Sequence, residues 1–250
     1  MAGHSKFKNI MFRKGAQDKK RAKIFAKLGR EVQIASKIGG SDPNSNHRLR
    51  TAIDAAKAAN VPKDNIERAI KKGSDAETNN LEEIKYEGFG PGGTAIIVET
   101  MTDNKNRTIS EIRQIFSKNG GSIGESGSVS HSFKRKGELI YKSNEDLKNK
   151  IFDIAVEAGA DDVINEDQDY IVYCDPKQII TIKEKISQLS LEPISVSLTW
   201  ISDNKINLNK EDGKKLFNLI NQLEDNEDVQ NISSNYDISN EVFDTIDFDK

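Results

Sequence analysis

Glu138-Leu139-Ile140-Tyr141, Asp162-Val163-Ile164-Asn165, Tyr170-Ile171-Val172-Tyr173 and Pro193 to Trp200 are four short segments with strand character, and two helical patterns lie between them. Asn144 to Ala158 carries Leu147, Ile151, Ile154 and Ala155, and Pro176 to Leu189 carries Ile179, Ile182 and Ile186. Apolar residues three and four apart build one face of a helix, whereas a strand repeats every second residue. Residues 162–165 and 170–173 read as a hairpin. The order β-α-β-β-α-β is the ferredoxin-like arrangement.

Working outward, the flanking pieces are incomplete. Thr94 to Thr100 is mostly apolar and reads as a central strand. Arg107 to Asn119 is a helix bearing Ile109, Ile112, Ile115 and Phe116, stopped by Gly120-Gly121. Ser128 to Phe133 alternates as a strand, and Lys134-Arg135-Lys136-Gly137 reads as a basic turn. Beyond the ferredoxin-like unit, the helix Lys210 to Leu223 and the strand Val229 to Ser234 have no partners of their own. The economical solution joins them to the earlier β-α-β piece, which makes the ferredoxin-like unit an insertion.

The start of the chain is helical. Phe25, Leu28, Val32 and Ala35 share one face, Leu49, Ala52, Ile53 and Ala56 a second, and Ile66, Ala69 and Ile70 a third. Pro62 suits the first turn of the third helix, Lys71 and Lys72 its last turn, and Gly73 the position just past it. The expected fold is therefore α+β. A three-helix domain spans 1–73, a linker 74–85, a discontinuous α/β domain 86–136 plus 203–238, an inserted ferredoxin-like domain 137–202 and an acidic tail 239–250. Val242, Phe243, Ile246 and Phe248 give that tail an apolar pattern that either docks or frays.

Charge is distributed unevenly. The net charge of the 250 residues is −3, yet residues 1–72 hold 18 Lys and Arg against 6 Asp and Glu. The remainder holds 19 against 34, and residues 224–250 hold 1 against 9. A basic first third on an acidic body suggests a polyanion-binding module. Lys6, Lys8, Arg13, Lys14, Lys19, Lys20, Arg21, Lys23, Lys27 and Arg30 crowd the start, and Asp18 is the one acid between Gly3 and Arg30. A solvated face normally mixes signs, so this excess favours binding driven by counterion release from phosphates. Phe7 and Phe12 lie among the cations, where rings can stack on unpaired bases, and Arg48 and Arg50 open the second helix. An anionic membrane surface is the rival polyanion, but insertion would need the apolar face that the helical core also needs. The acidic end is either a solvated tail or a segment that folds over the basic start.

Other classes are disfavoured. The single cysteine, Cys174, allows no intrachain disulfide and no cysteine-built zinc site. No stretch approaches the ~20 apolar residues of a membrane span, and no secretory signal is present. His4, His47 and His131 are the only histidines, and no nucleophile or metalloprotease motif occurs. Gly88, Gly90 and Gly93 spell G-x-G-x-x-G, but a dinucleotide site needs a strand before it and a helix after it. Here the strand follows and Pro91 interrupts, so a tight turn is the better reading. The expectations are no enzyme activity, no cofactor, no metal, no small-molecule substrate and a cytoplasmic location.

Ala2-Gly3-His4-Ser5-Lys6, Arg13-Lys14, Asp18, Lys20-Arg21, Asp42-Pro43, Arg48-Leu49-Arg50 and Pro62 to Ile70 resemble the YebC family. So do Tyr86-Glu87-Gly88, Gly90 to Thr94, Thr102 to Arg107, Gly120-Gly121, Gly124 and Gly127-Ser128-Val129. The resemblance is specific across Met1 to Gly137. Phe7 stands where members often carry Trp, and Phe12 where His is common, so any role for an imidazole there is lost. The resemblance implies three domains, the last inserted in the middle one, in a cytoplasmic bacterial protein. It implies a nucleic-acid-binding regulator, commonly described as a probable transcriptional regulator that binds DNA. The alternative is a translation factor or translational activator that binds ribosomal or transfer RNA. Partners would be the nucleic acid and the ribosome or transcription machinery, with no membrane.

Overall fold

The computed structural model describes residues 17–75, 80–142, 148–166, 169–243 and 245–246, and the chain is α+β. It opens on three helices, α1 (Gln17–Gly39), α2 (His47–Ala58) and α3 (Lys63–Ser74). Val32, Ala35, Leu49, Ala52, Ala56 and Ile66 form their shared core. Asn46 ties the corner between α1 and α2. Its Oδ1 accepts from the Leu49 amide at 3.0 Å, and its Nδ2 donates to the Ala35 and Gly40 carbonyls at 2.8 Å each. Gly73 lies inside α3 rather than past its end. A Cβ there would sit 2.2 Å from the Gln33 carbonyl oxygen, so the glycine lets α3 cross α1 closely.

The next sheet has the order β3-β1-β2-β9, all antiparallel. Its strands are β1 (Glu82–Phe89), β2 (Ala95–Thr102), β3 (Ser122–Ile123) and β9 (Val229–Ser234). One face is covered by α4 (Lys105–Lys118) and α7 (Lys210–Asp225), through Ile96, Val98, Ile112, Phe116, Leu216 and Leu219. A short parallel ribbon of β8 (Ile206–Asn207) and β10 (Tyr236–Asp237) lies alongside. The chain then forms α8 (Asn240–Phe243). Phe243 and Ile246 are buried in the α7 core, where the Phe243 ring meets Phe217 edge-on at 5.7 Å. Phe243 and Ile246 therefore dock here; Phe248 lies outside the described residues.

Three local expectations fail in this region. Residues 82–85 are strand β1, not linker, and Leu81 is already buried. Ser130–Ser132 is a 3₁₀ turn rather than a strand. Lys134 to Gly137 begins a strand instead of forming a turn.

That strand is β4 (Lys134–Lys142), followed by α5 (Lys148–Glu157), β5 (Asp162–Glu166), β6 (Asp169–Cys174), α6 (Ile179–Ser187) and β7 (Ser195–Ile201). Their sheet has the order β5-β6-β4-β7, all antiparallel, which is the ferredoxin-like order. Leu139, Tyr141, Ile151, Ala155, Ile182 and Ile186 are buried under its helices. The two sheets meet at a seam. The Trp200 amide donates to Ser233 Oγ at 3.3 Å, and Asn231 Nδ2 donates to the Leu198 carbonyl at 3.3 Å. The Trp200 ring packs on Ala95, Ile97, Val129 and Phe133, with Lys85 and Arg135 each 5.0 Å from its centroid.

Candidate nucleic-acid interface

The basic residues of α1 follow a helix that runs from the three-helix core to the middle sheet. Lys6, Phe7, Lys8, Phe12, Arg13 and Lys14 lie outside the described residues. Lys19, Lys20 and Arg21 fall at the start of α1, and their side chains also lie outside the described part. From Lys23 onward the cations can be followed. Lys23 Nζ is 2.6 Å from Asp225 Oδ1, both exposed. Burial pulls the Lys27 ammonium below its usual value, partly offset by Glu224 and Asp225. Arg30 donates to the Glu227 carbonyl and, at 3.3 Å, to Asp228 Oδ1.

Asp228 anchors this contact. Its side chain is 4% exposed and accepts from Arg107 Nη2 at 2.8 Å, Thr108 Oγ1 at 2.7 Å and Thr102 Oγ1 at 3.1 Å. Burial would raise its carboxyl, but these donors outweigh that and hold it below the usual carboxylate value. A buried carboxylate is tolerated only when paired and hydrogen-bonded this fully. The end of α7 and the start of β9 thus present an acidic collar, 224–228, to the middle of α1. Opposed charge in the sequence hinted at such a contact, but the contact comes from the first residues of the acidic segment.

Arg48 and Arg50 are also engaged within the molecule. Arg48 lies between Glu31, with Nε to Oε1 at 2.8 Å and Nη2 to Oε2 at 3.1 Å, and Glu83, with Nη1 to Oε2 at 3.0 Å. Burial alone would lower its guanidinium, yet the hydrogen bonds it donates to Glu83 and Glu31 raise it above its usual value. It joins α1, α2 and β1. Arg50 donates to the Pro43 and Asn44 carbonyls at 3.1 and 3.0 Å and fixes the loop before α2. By contrast, the Lys57, Lys71 and Lys72 side chains are exposed and form no ion pair among the described residues. Lys57 lies far from the N-terminal run, so the charge pattern of the sequence does not single it out.

The glycine-rich stretch does not form a dinucleotide site. Strand β1 precedes it, but a 3₁₀ turn at Pro91–Gly93 and strand β2 follow where a helix would be required. A nest of amides does occur nearby, and it is filled by the protein itself. Glu87 Oε2 accepts from the Val129 and Ser130 amides at 2.9 and 2.8 Å. Cys174 is buried, and burial pushes its thiol up to about 11. His47 and His131 are exposed. No group of three metal-ligating side chains occurs among the described residues. None of their helices is long and apolar enough to cross a membrane.

Family models match nearly the whole chain: the TACO1/YebC protein N-terminal domain over residues 5–76, and the TACO1/YebC second and third domain over residues 81–236. A probable transcriptional regulatory protein of Zymomonas mobilis is 48% identical over 246 residues, covering 98% of this chain and 99% of its own length. One of Syntrophotalea carbinolica is 51% identical over 242 residues, covering 96% and 97%. The crystal structure of a conserved hypothetical protein from Aquifex aeolicus has a TM-score of 0.83 and 42% identity, covering 88% of this chain and 91% of that one.

Proposed function

This chain belongs to the TACO1/YebC family, and from that premise we propose that it is a non-enzymatic, cytoplasmic, DNA-binding regulator of transcription. The observation that carries this reading is the one-sided charge of the N-terminal segment, where Asp18 is the only acid between Gly3 and Arg30. The names of its relatives support the same reading. Lys6, Lys8, Arg13, Lys14, Lys19, Lys20, Arg21 and Lys23 grip phosphates, and Phe7 and Phe12 add stacking. Exposed Lys57, Lys71 and Lys72 extend the basic surface along α2 and α3. Arg48 and Arg50 act at one remove, by holding the helices and the loop that present it. Each phosphate contact releases counterions, so affinity falls steeply with salt.

The test is a charge reversal, Lys19→Glu with Lys20→Glu and Arg21→Glu, read by DNA binding across a salt series. Loss of three phosphate contacts lowers the slope of log affinity against log salt by about 2.7 and weakens binding more than tenfold at low salt. An unchanged affinity removes the assignment. Crosslinking in cells, with both DNA and RNA sequenced, identifies the target. Discrete promoter DNA supports the reading, whereas ribosomal or transfer RNA at one position replaces it with a role in translation.

A further inference from the structure

An edge strand exposes a row of unpaired amides and carbonyls. The inserted sheet has two edges, and they are treated differently. The β7 edge faces the middle sheet through Trp200, Ser233, Leu198 and Asn231. The β5 edge pairs with β6 on one side and with no other strand among the described residues.

Beside β5 runs α5, whose Ile151 and Ala155 are fully buried while Phe152 and Val156 are 51% and 49% exposed. Residues four apart are neighbours on a helix, so these two form one apolar patch. Its direction follows from handedness. β4 and β5 are parallel, since both pair antiparallel to β6, and α5 connects them. Such a crossover is right-handed. With Ile151 facing the sheet, the right-handed turn of α5 carries Phe152 and Val156 toward β5, away from α6. Open edge and apolar patch therefore lie side by side.

Charge limits what can occupy it. Residues 160–169 contain Asp161, Asp162, Glu166, Asp167 and Asp169, with no Lys or Arg. Lys136 and Lys142 of β4 pair with Asp161 and Asp169, so the sequence of this stretch keeps an excess of acid, and Asp162 is exposed on β5. A second copy adding to this edge would set acid against acid, which destabilises strand pairing. Acids alone would be ordinary protection of an edge. Protection does not account for a half-exposed phenylalanine and valine at the same place.

We propose that β5, Phe152 and Val156 form a docking surface for an extended, lysine- or arginine-rich segment of a protein partner. The segment adds as a further strand, with main-chain hydrogen bonds supplying affinity and alternate side chains meeting the apolar patch and the acids. This surface is separate from the nucleic-acid surface on the N-terminal helices.

The test uses the full chain and a labelled ten-residue peptide of alternating lysine and valine, with an alternating glutamate–valine peptide as control. The lysine peptide is expected to bind at least tenfold tighter and to slow amide exchange at residues 162–166. The double variant Phe152→Asp with Val156→Asp should weaken it tenfold or more while the melting temperature holds. The added negative charge would strengthen a purely electrostatic association, so weakening reads the apolar patch itself. Equal binding of both peptides, binding that survives the double variant, or protection away from β5 overturns the proposal. DNA binding by the double variant is measured in parallel; its retention shows that the two surfaces fail or stand independently.

Discussion

Glu87 holds a charge where burial opposes it. The residue is 2% exposed, and burial raises a carboxyl, yet the amides of Val129 and Ser130 and the Lys85 ammonium at 3.0 Å outweigh that and bring it to about 2. The folded value lies below the unfolded value of about 4.5, so the stabilisation is complete above that pH and is lost as pH falls through about 2. It amounts to about 3 kcal/mol at neutral pH. Glu87→Gln should therefore lower the urea midpoint at pH 7, with the gap to the parent protein narrowing below pH 4.5 and closing only below about pH 2. A constant gap across that range would show that the charge is not what matters. None of this was legible in the sequence, where Glu87 is one acid among many, because the amides it collects lie some forty residues away. Gly73 was misread for a similar reason. Its neighbours Lys71 and Lys72 suit a helix end, but the glycine answers to the Gln33 backbone on another helix.

Elements with strong periodicity were legible, and those built on charged residues were not. The strand expected over Val229 to Ser234 matches β9 residue for residue, and the helices around Leu49 and Ile182 fall where expected. Strand β1 was hidden because Glu82, Glu83, Lys85 and Glu87 interrupt its apolar residues. The run Lys134 to Lys136 imitated a basic turn, yet each side chain meets an acid: Asp203 for Lys134, Glu99 at 2.7 Å for Arg135 and Asp161 at 2.9 Å for Lys136. Cross-strand partners decide such strands, and they are remote in sequence. Helix entry is more local. Asn46 caps α2 and also ties the Ala35 carbonyl of α1 and the Gly40 carbonyl just past it, so Asn46→Ala should cost about 2 kcal/mol, above an ordinary cap. Thermal melting of the variant checks this, and a loss under 0.5 kcal/mol would reduce Asn46 to a simple surface turn.

The arrangement of the molecule was partly legible. Unpaired elements on either side of a β-α-β-β-α-β unit pointed to an insertion, and the sheets interleave along the chain in that way. What charge counting could not see is which cations are already paired. Arg30 joins Asp228, Arg48 joins Glu31 and Glu83, and Lys183 of α6 approaches Asp54 of α2 at 3.7 Å. The apolar contribution between the first helices and the middle sheet is small, with Ile34, Leu81 and Met101 forming one cluster. The helical region is therefore held to the rest largely by ionic and hydrogen-bonded contacts, among them Arg30 with Asp228, Arg48 with Glu83 and Lys23 with Asp225. Asp228→Ala leaves Arg30, Arg107, Thr102 and Thr108 without their shared acceptor. Calorimetry should then resolve a separate, earlier transition for the helices; a single cooperative transition would assign the coupling elsewhere.

Trp200 is the only tryptophan of the chain, and its indole lies between two cations where the two sheets meet. Intrinsic fluorescence excited at the indole is therefore a local gauge of that seam. A denaturation followed by emission records the opening of that seam, while far-ultraviolet dichroism records the helices as well. Any gap between the two curves measures how independently the parts of this molecule come apart.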